Sequence, residues 1–179
     1  DVVGGRIFVQ FENNPRPSWL SDDLLKPLAA LNYGDKQFLI TDKTTPLWTS
    51  NIAYQTSIFK DGLRFDKKYN REGYDIGGGE DEIMFNEFID SGIPVMYQPF
   101  MMTDHFVESW RLRRSYFYKL YYKAGFKRGL YSTKTTGNYI LGVPRYLYKQ
   151  LILTILNIFK SLILFDQKWF IDSLILSNI

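Results

Sequence analysis

The chain has 179 residues, 45% of them hydrophobic, with a formal net charge of +3 and no cysteine. That length and apolar content suffice for the buried core of about one domain. The lack of cysteine excludes disulfides and thiolate metal sites. The sequence opens at Asp1, inside a strand-like run and without an initiator Met or signal peptide, and reads as a fragment of a longer protein.

In chain order, Val2 to Phe11 predicts a strand and Asn13-Asn14-Pro15-Arg16-Pro17 a loop. Ser21-Asp22-Asp23 supplies capping and acidic residues for a short helix running to about Leu31. Gln37 to Thr41 reads as a short strand, and Asn51 as the N-cap of a helix ending before Asp61-Gly62. After a turn-rich connection over Gly73 to Gly79, Glu80 to Asp90 predicts a helix with Ile83, Met84, Glu87 and Phe88 on its inner face and Gly92 just past its end. Pro94 to Tyr97 and Met101 to Val107 predict two strands, and Trp110 to Ala124 a helix. Such alternation indicates an α/β domain with a mixed sheet.

Charge divides the chain. Residues 1 to 108 hold 17 acidic and 10 basic residues, whereas Ser109 to Phe165 hold 11 basic residues and no Asp or Glu. The basic stretch is interleaved with aromatic residues, among them Trp110, Tyr116, Phe117, Tyr121 and Tyr148. This mixture suits an anionic membrane surface, and it suits nucleic acid as well. The segment from Leu151 to Phe165 favours the membrane. Gln150, Thr154, Asn157 and Ser161 recur at spacings of four, three and four, so its helix carries a narrow polar stripe on an otherwise apolar cylinder. A span needs roughly 20 predominantly apolar residues, and Asn157 and Lys160 interrupt this run, which reads as an interfacial or partly inserted helix. Burial against the rest of a larger protein is the other reading.

The residues with chemical potential are Glu80, Asp81 and His105, the only histidine. Backbone N–H groups and the positive dipole end of a helix start favour the charged carboxylate. Adjacent side chains point about 100° apart, so the two carboxylates serve different partners. Acidic capping of the helix explains the same residues, and a half-buried histidine at a strand end explains His105 as well as a metal or phosphate ligand does.

Taken in order, Asp1-Val2-Val3-Gly4-Gly5, Trp48-Thr49-Ser50-Asn51-Ile52-Ala53-Tyr54, Phe65-Asp66, Gly79-Glu80-Asp81-Glu82, Gly92-Ile93-Pro94, Pro99, His105 and Arg111 resemble the acceptor-side half of family 2 glycosyltransferases with the GT-A fold. The resemblance covers about residues 1 to 130. It implies a partial GT-A-like mixed sheet flanked by helices, and the polar stripe and basic, aromatic composition add amphipathic, membrane-associated helices over 131–179. It further implies inverting transfer from a nucleotide-sugar donor to a glycan acceptor in surface or exopolysaccharide assembly, peripherally at the cytoplasmic face of a membrane and without a nucleic-acid partner.

Within that resemblance Asp81 is the catalytic base, with Glu80 beside it, and His105 ligates a divalent cation, Mn or Mg. Gly79, Asn51, Arg111 and Arg114 contact substrate, Ser50 departing from the family's usual Gly in the segment before Asn51. Trp48 and Trp110 stack on a sugar face or fill the core. The family's nucleotide-binding half, with its Asp-x-Asp metal motif, precedes the position of Asp1, so the fragment alone is expected to be inactive. The alternative is a non-catalytic carbohydrate-binding or membrane-docking module with the same fold.

Overall fold

A computed structural model describes residues 1–12, 15–60, 62–65, 79–131, 138–166 and 168–178. The chain forms two compact units, Asp1–Leu112 and Arg113–Ile179.

The first unit is α/β. Strand β1 (Val2–Phe11) lies centrally in a four-stranded mixed sheet of order β2-β4-β1-β3, with β2 spanning Phe38–Ile40, β3 Ile52–Tyr54 and β4 Val95–Val107. β1 runs parallel to β4 and antiparallel to β3, and β2 runs antiparallel to β4. Parallel neighbours need a long crossover, and that connection carries helix α1 (Glu80–Asp90). The core joins Val2, Ile7, Val95 and Tyr97 of the central strands to Met84, Phe85 and Phe88 of α1.

The β1–β4 pairing breaks at Gly5. Gly4 pairs with Tyr97 but Arg6 pairs with Met102, so residues 98–101 of β4 arch over one residue of β1. A Cβ on Gly5 would collide with the Met101 carbonyl and lie 2.6 Å from that of Gln98. This irregularity lets Pro99, which has no N–H to give a ladder, sit within a central strand. The two strands expected over Pro94–Tyr97 and Met101–Val107 are therefore one.

Other elements also depart from expectation. The helix expected from Ser21 is two 3-10 turns, Asp22–Leu24 and Lys26–Leu28, because Pro27 lacks the donor that would continue α hydrogen bonding. Asn51 caps no helix. It ends a 3-10 turn, Thr49–Asn51, and Ile52 to Tyr54 pair with β1. The buried face of α1 is Met84, Phe85 and Phe88, while Ile83 and Glu87 are exposed. The helix expected from Trp110 begins only after a 3-10 turn at Ser109–Leu112.

The second unit is a helical assembly of α2 (Arg114–Tyr131), α3 (Arg145–Ile163) and α4 (Lys168–Asn178), with a two-stranded hairpin of β5 (Tyr139–Ile140) and β6 (Val143–Pro144) before α3. Tyr116, Phe117, Phe170 and Leu174 are buried. The hydroxyls of Tyr118 and Ser173 lie 2.6 Å apart, and Ser173 donates on to the Phe170 carbonyl at 2.6 Å, which ties α2 to α4. Among the described residues no helix is long and apolar enough to cross a membrane.

Candidate functional site

Helix α1 starts at Gly79, whose φ of 114° lies in the left-handed region open to glycine and costly for other residues. Its carbonyl accepts the first helical bond from Ile83 N–H at 2.9 Å. Glu80, Asp81 and Glu82 occupy the first turn, and the Glu82 N–H donates to Asp81 Oδ1 at 3.0 Å. A helix start alone would hold Asp81 below its ordinary range. Instead its pKa is raised, first by burial and then by the neighbouring charge of Glu80, which together outweigh the backbone hydrogen bonds.

An aromatic cluster lies within electrostatic reach of Asp81. Tyr54 of β3 feels its charge, and burial together with that charge pushes the Tyr54 hydroxyl up to about 12. The Tyr54 ring packs against Phe59, Phe88 and Phe65 at centroid distances of 5.6, 5.7 and 6.1 Å. Beside it, Glu80 Oε2 is buried with no hydrogen-bond partner among the described residues. The pair thus offers one half-buried carboxylate of raised pKa and one buried acceptor oxygen without a partner among the described residues. An open depression of about 280 Å³, lined by Gly62, Leu63, Arg64, Ile83, Met84 and Glu87, runs along the same helix. The expected contributions of Asp66, Gly77 and Gly78 lie outside the described residues.

Asn51 is buried, and its Nδ2 donates to the carbonyls of Arg6 at 2.7 Å and Met101 at 2.9 Å. It therefore clamps both strands where their register breaks. Trp48, just before it, packs against the core, and its Nε1 is buried without a partner among the described residues.

His105 lies near the end of β4, paired with Val9. Its Nε2 is buried without a partner among the described residues. Burial lowers its pKa and the nearby Arg111 guanidinium lowers it further, with Glu108 opposing, so the neutral imidazole is favoured. Arg111 is itself buried, with Nη1 3.5 Å from Glu108 Oε2. Trp110 is half-buried in the same 3-10 turn. Arg114 belongs to the second unit, where its guanidinium lies 5.4 Å from the Trp169 ring and 5.2 Å from that of Phe170.

Within the first unit the expected residues fall into separate neighbourhoods: Asp81 lies within reach of Tyr54, which pairs with Val2, whereas His105 pairs with Val9 and meets Arg111 and Glu108. In the second unit Arg114 meets Trp169 and Phe170. No three His, Asp or Glu side chains come together to hold a metal ion among the described residues. The Nε2 of His105, without a partner among the described residues, fits at most a single metal ligand, with Arg111 a nearby cation that opposes it. Tyr54 is the site residue that sequence reasoning missed; its alternation with Ile52 on one short strand is the signal that could have found it. Comparison with protein-family models, with curated proteins and with solved structures finds no match to this chain.

Proposed function

We propose that the chain is the acceptor-side and C-terminal part of a GT-A-type, family 2 glycosyltransferase, acting at the cytoplasmic face of a membrane in surface polysaccharide assembly. The observation that carries this reading is Asp81. It is a half-buried carboxylate of raised pKa on the first turn of α1, within electrostatic reach of Tyr54 and beside a Glu80 oxygen that has no partner among the described residues. Raising a carboxylate's pKa strengthens it as a proton acceptor while leaving it at the end of a rigid element.

In the proposed reaction an acceptor hydroxyl attacks the anomeric carbon of a nucleotide-sugar from the side opposite the diphosphate. The new C–O bond forms as the bond to the diphosphate breaks, the nucleoside diphosphate leaves, and Asp81 takes the hydroxyl proton. Glu80 stands beside the base on the same first turn, and Trp48 supports the site from the core near Asn51. Asn51 acts through the strands it clamps, and Gly79 sets the direction in which α1 presents its carboxylates. Arg111 faces the diphosphate end together with Trp110. His105, in a neighbourhood separate from that of Asp81, would hold a divalent cation, Mn or Mg, as a single protein ligand. The chemistry such a cation would supply is neutralisation of charge on the leaving group.

The test is transfer from a panel of nucleotide-sugars by the full-length protein with Mn²⁺ or Mg²⁺, wild type against Asp81→Asn. The variant should lose on the order of 10²-fold or more in turnover while binding donor as wild type does. Retained turnover refutes the assignment. The exposed apolar side of α3 favours a second reading, a non-catalytic membrane-docking module of the same fold. Absence of turnover with every donor, alongside membrane binding, would select it.

A further inference from the structure

Helix α3 buries two small polar residues and leaves large apolar ones open. Thr154 and Ser161 are its buried residues, 6% and 8% exposed. Ser161 Oγ donates at 3.4 Å to Asp172 Oδ2 of α4, so Ser161 lies at the seam between the two helices, while Gln150 and Asn157 of the polar stripe stay exposed. Ile152, Leu156, Phe159 and Ile163 recur at spacings of four, three and four, and all are exposed. At about 100° per residue they lie on the side of the helix opposite Thr154. The apolar surface continues past the helix end into Phe165, 95% exposed.

The hairpin before α3 adds to this surface. Leu141, at its tip, is 94% exposed. The hairpin is joined to the first turns of α3 by Arg145 N–H to the Asn138 carbonyl at 3.0 Å and by the Tyr148 hydroxyl to the Ile140 carbonyl at 3.1 Å. In water a surface helix turns its apolar stripe inward. Small polar residues at a helix–helix seam with large apolar residues facing out is the arrangement that lipid selects, because small side chains let helices approach closely and lipid takes the apolar ones.

Charge identifies the lipid. Lys149 and Lys160 are exposed on α3, both displaced to one flank of the apolar stripe, and Ser109 to Phe165 contains no acidic residue. Long lysine stems can lie along an apolar boundary while the ammonium groups reach lipid phosphates. A second copy of this chain would instead bring its own basic stretch against this one.

We propose that α3 lies in the plane of an anionic bilayer, with Ile152, Leu156, Phe159 and Ile163 in the acyl boundary, Leu141 and Phe165 inserted at its two ends, and Lys149 and Lys160 on the headgroup phosphates. This deepens the membrane placement proposed above and rests on it for its cellular setting only; the transfer chemistry of Asp81 is independent of it. The helix lies in the interface and does not span.

The experiment is flotation of the full chain with vesicles of phosphatidylcholine alone and of phosphatidylcholine with phosphatidylglycerol. Wild type should float with the anionic vesicles. Leu156→Glu/Phe159→Glu, a change confined to exposed positions, should weaken partitioning by about tenfold or more with an unchanged circular dichroism spectrum. Lys149→Glu/Lys160→Glu should lose a similar factor on anionic vesicles only, and salt should mimic the loss. Asp81→Asn should float as wild type does, so loss of transfer and loss of binding are read separately. Failure of wild type to float, or equal flotation of the Leu156→Glu/Phe159→Glu variant, overturns the proposal. A lipid-free dimer of wild type that the same substitutions disperse would make this face a self-interface and overturn it as well.

Discussion

Asn51→Ala isolates what the asparagine contributes where the β1–β4 register breaks. Its Nδ2 gives two hydrogen bonds, to the Arg6 and Met101 carbonyls, and the residue is buried. Each such bond contributes roughly 1 kcal/mol net, and a stranded buried carbonyl costs about 1–3 kcal/mol. Removing the donor from both should therefore destabilise the chain by about 2–4 kcal/mol, with partial relief where water reaches the gap. Asn51→Asp should cost more than Asn51→Ala, since it keeps the size and turns an acceptor toward two carbonyl oxygens. Urea unfolding of the full chain, followed by circular dichroism at constant m-value, reads the change. A loss below about 0.5 kcal/mol in both variants, within the range of ordinary surface substitutions, would refute the clamp. A role in substrate contact alone would leave stability unchanged and raise KM.

Gly5→Ala should destabilise by more than about 2 kcal/mol in the same assay, because its Cβ would meet the Met101 carbonyl and the strands would have to part; wild-type stability would show that the arch over Gly5 yields. Asp81→Asn carries a pH signature as well as the loss of transfer. With its folded pKa raised above the ordinary 3.8, Asp81 contributes stability that is present below that value and lost as pH rises through the folded value. Asp81→Asn should then be more stable than wild type at neutral pH, the gap closing on acidification toward 3.8, and a variant less stable at neutral pH contradicts the burial argument. His105 has the opposite sign. Its folded pKa lies below the ordinary 6.5, so the stability it contributes is present above 6.5 and lost as pH falls through the folded value. His105→Gln should flatten the pH dependence of unfolding in that window, and an unchanged slope would mean the imidazole is not desolvated.

Legibility followed the range of the interaction. Strand β1 coincides with the expected Val2–Phe11, and α1 begins and ends where its acidic first turn and Gly92 place it. These boundaries are set by local chemistry, capping and the conformational freedom of glycine. The inner face of α1 was read one position off because Ile83 and Phe85 are both apolar, and only the sheet beneath decides which one it covers. Asn51 suits a helix cap as well as a strand clamp; the carbonyls that claim it belong to Arg6 and Met101, far away in sequence.

By itself, then, the sequence determined the alternation of elements, the carboxylate pair at a helix start, the acidic and basic division of the chain and the amphipathic period of α3. Each of these depends on residues within a few turns of one another. Only the tertiary structure decided that β4 runs unbroken through Pro99, that burial raises Asp81 where the helix start alone would lower it, and that His105 meets Arg111 and Glu108. The periodicity of α3 fixes the angle between its polar and apolar faces and leaves open which of them is covered. The packing of Thr154 and Ser161 inward settles that, because a hydrophobic period records a phase within one helix and the direction of burial is a property of its neighbours.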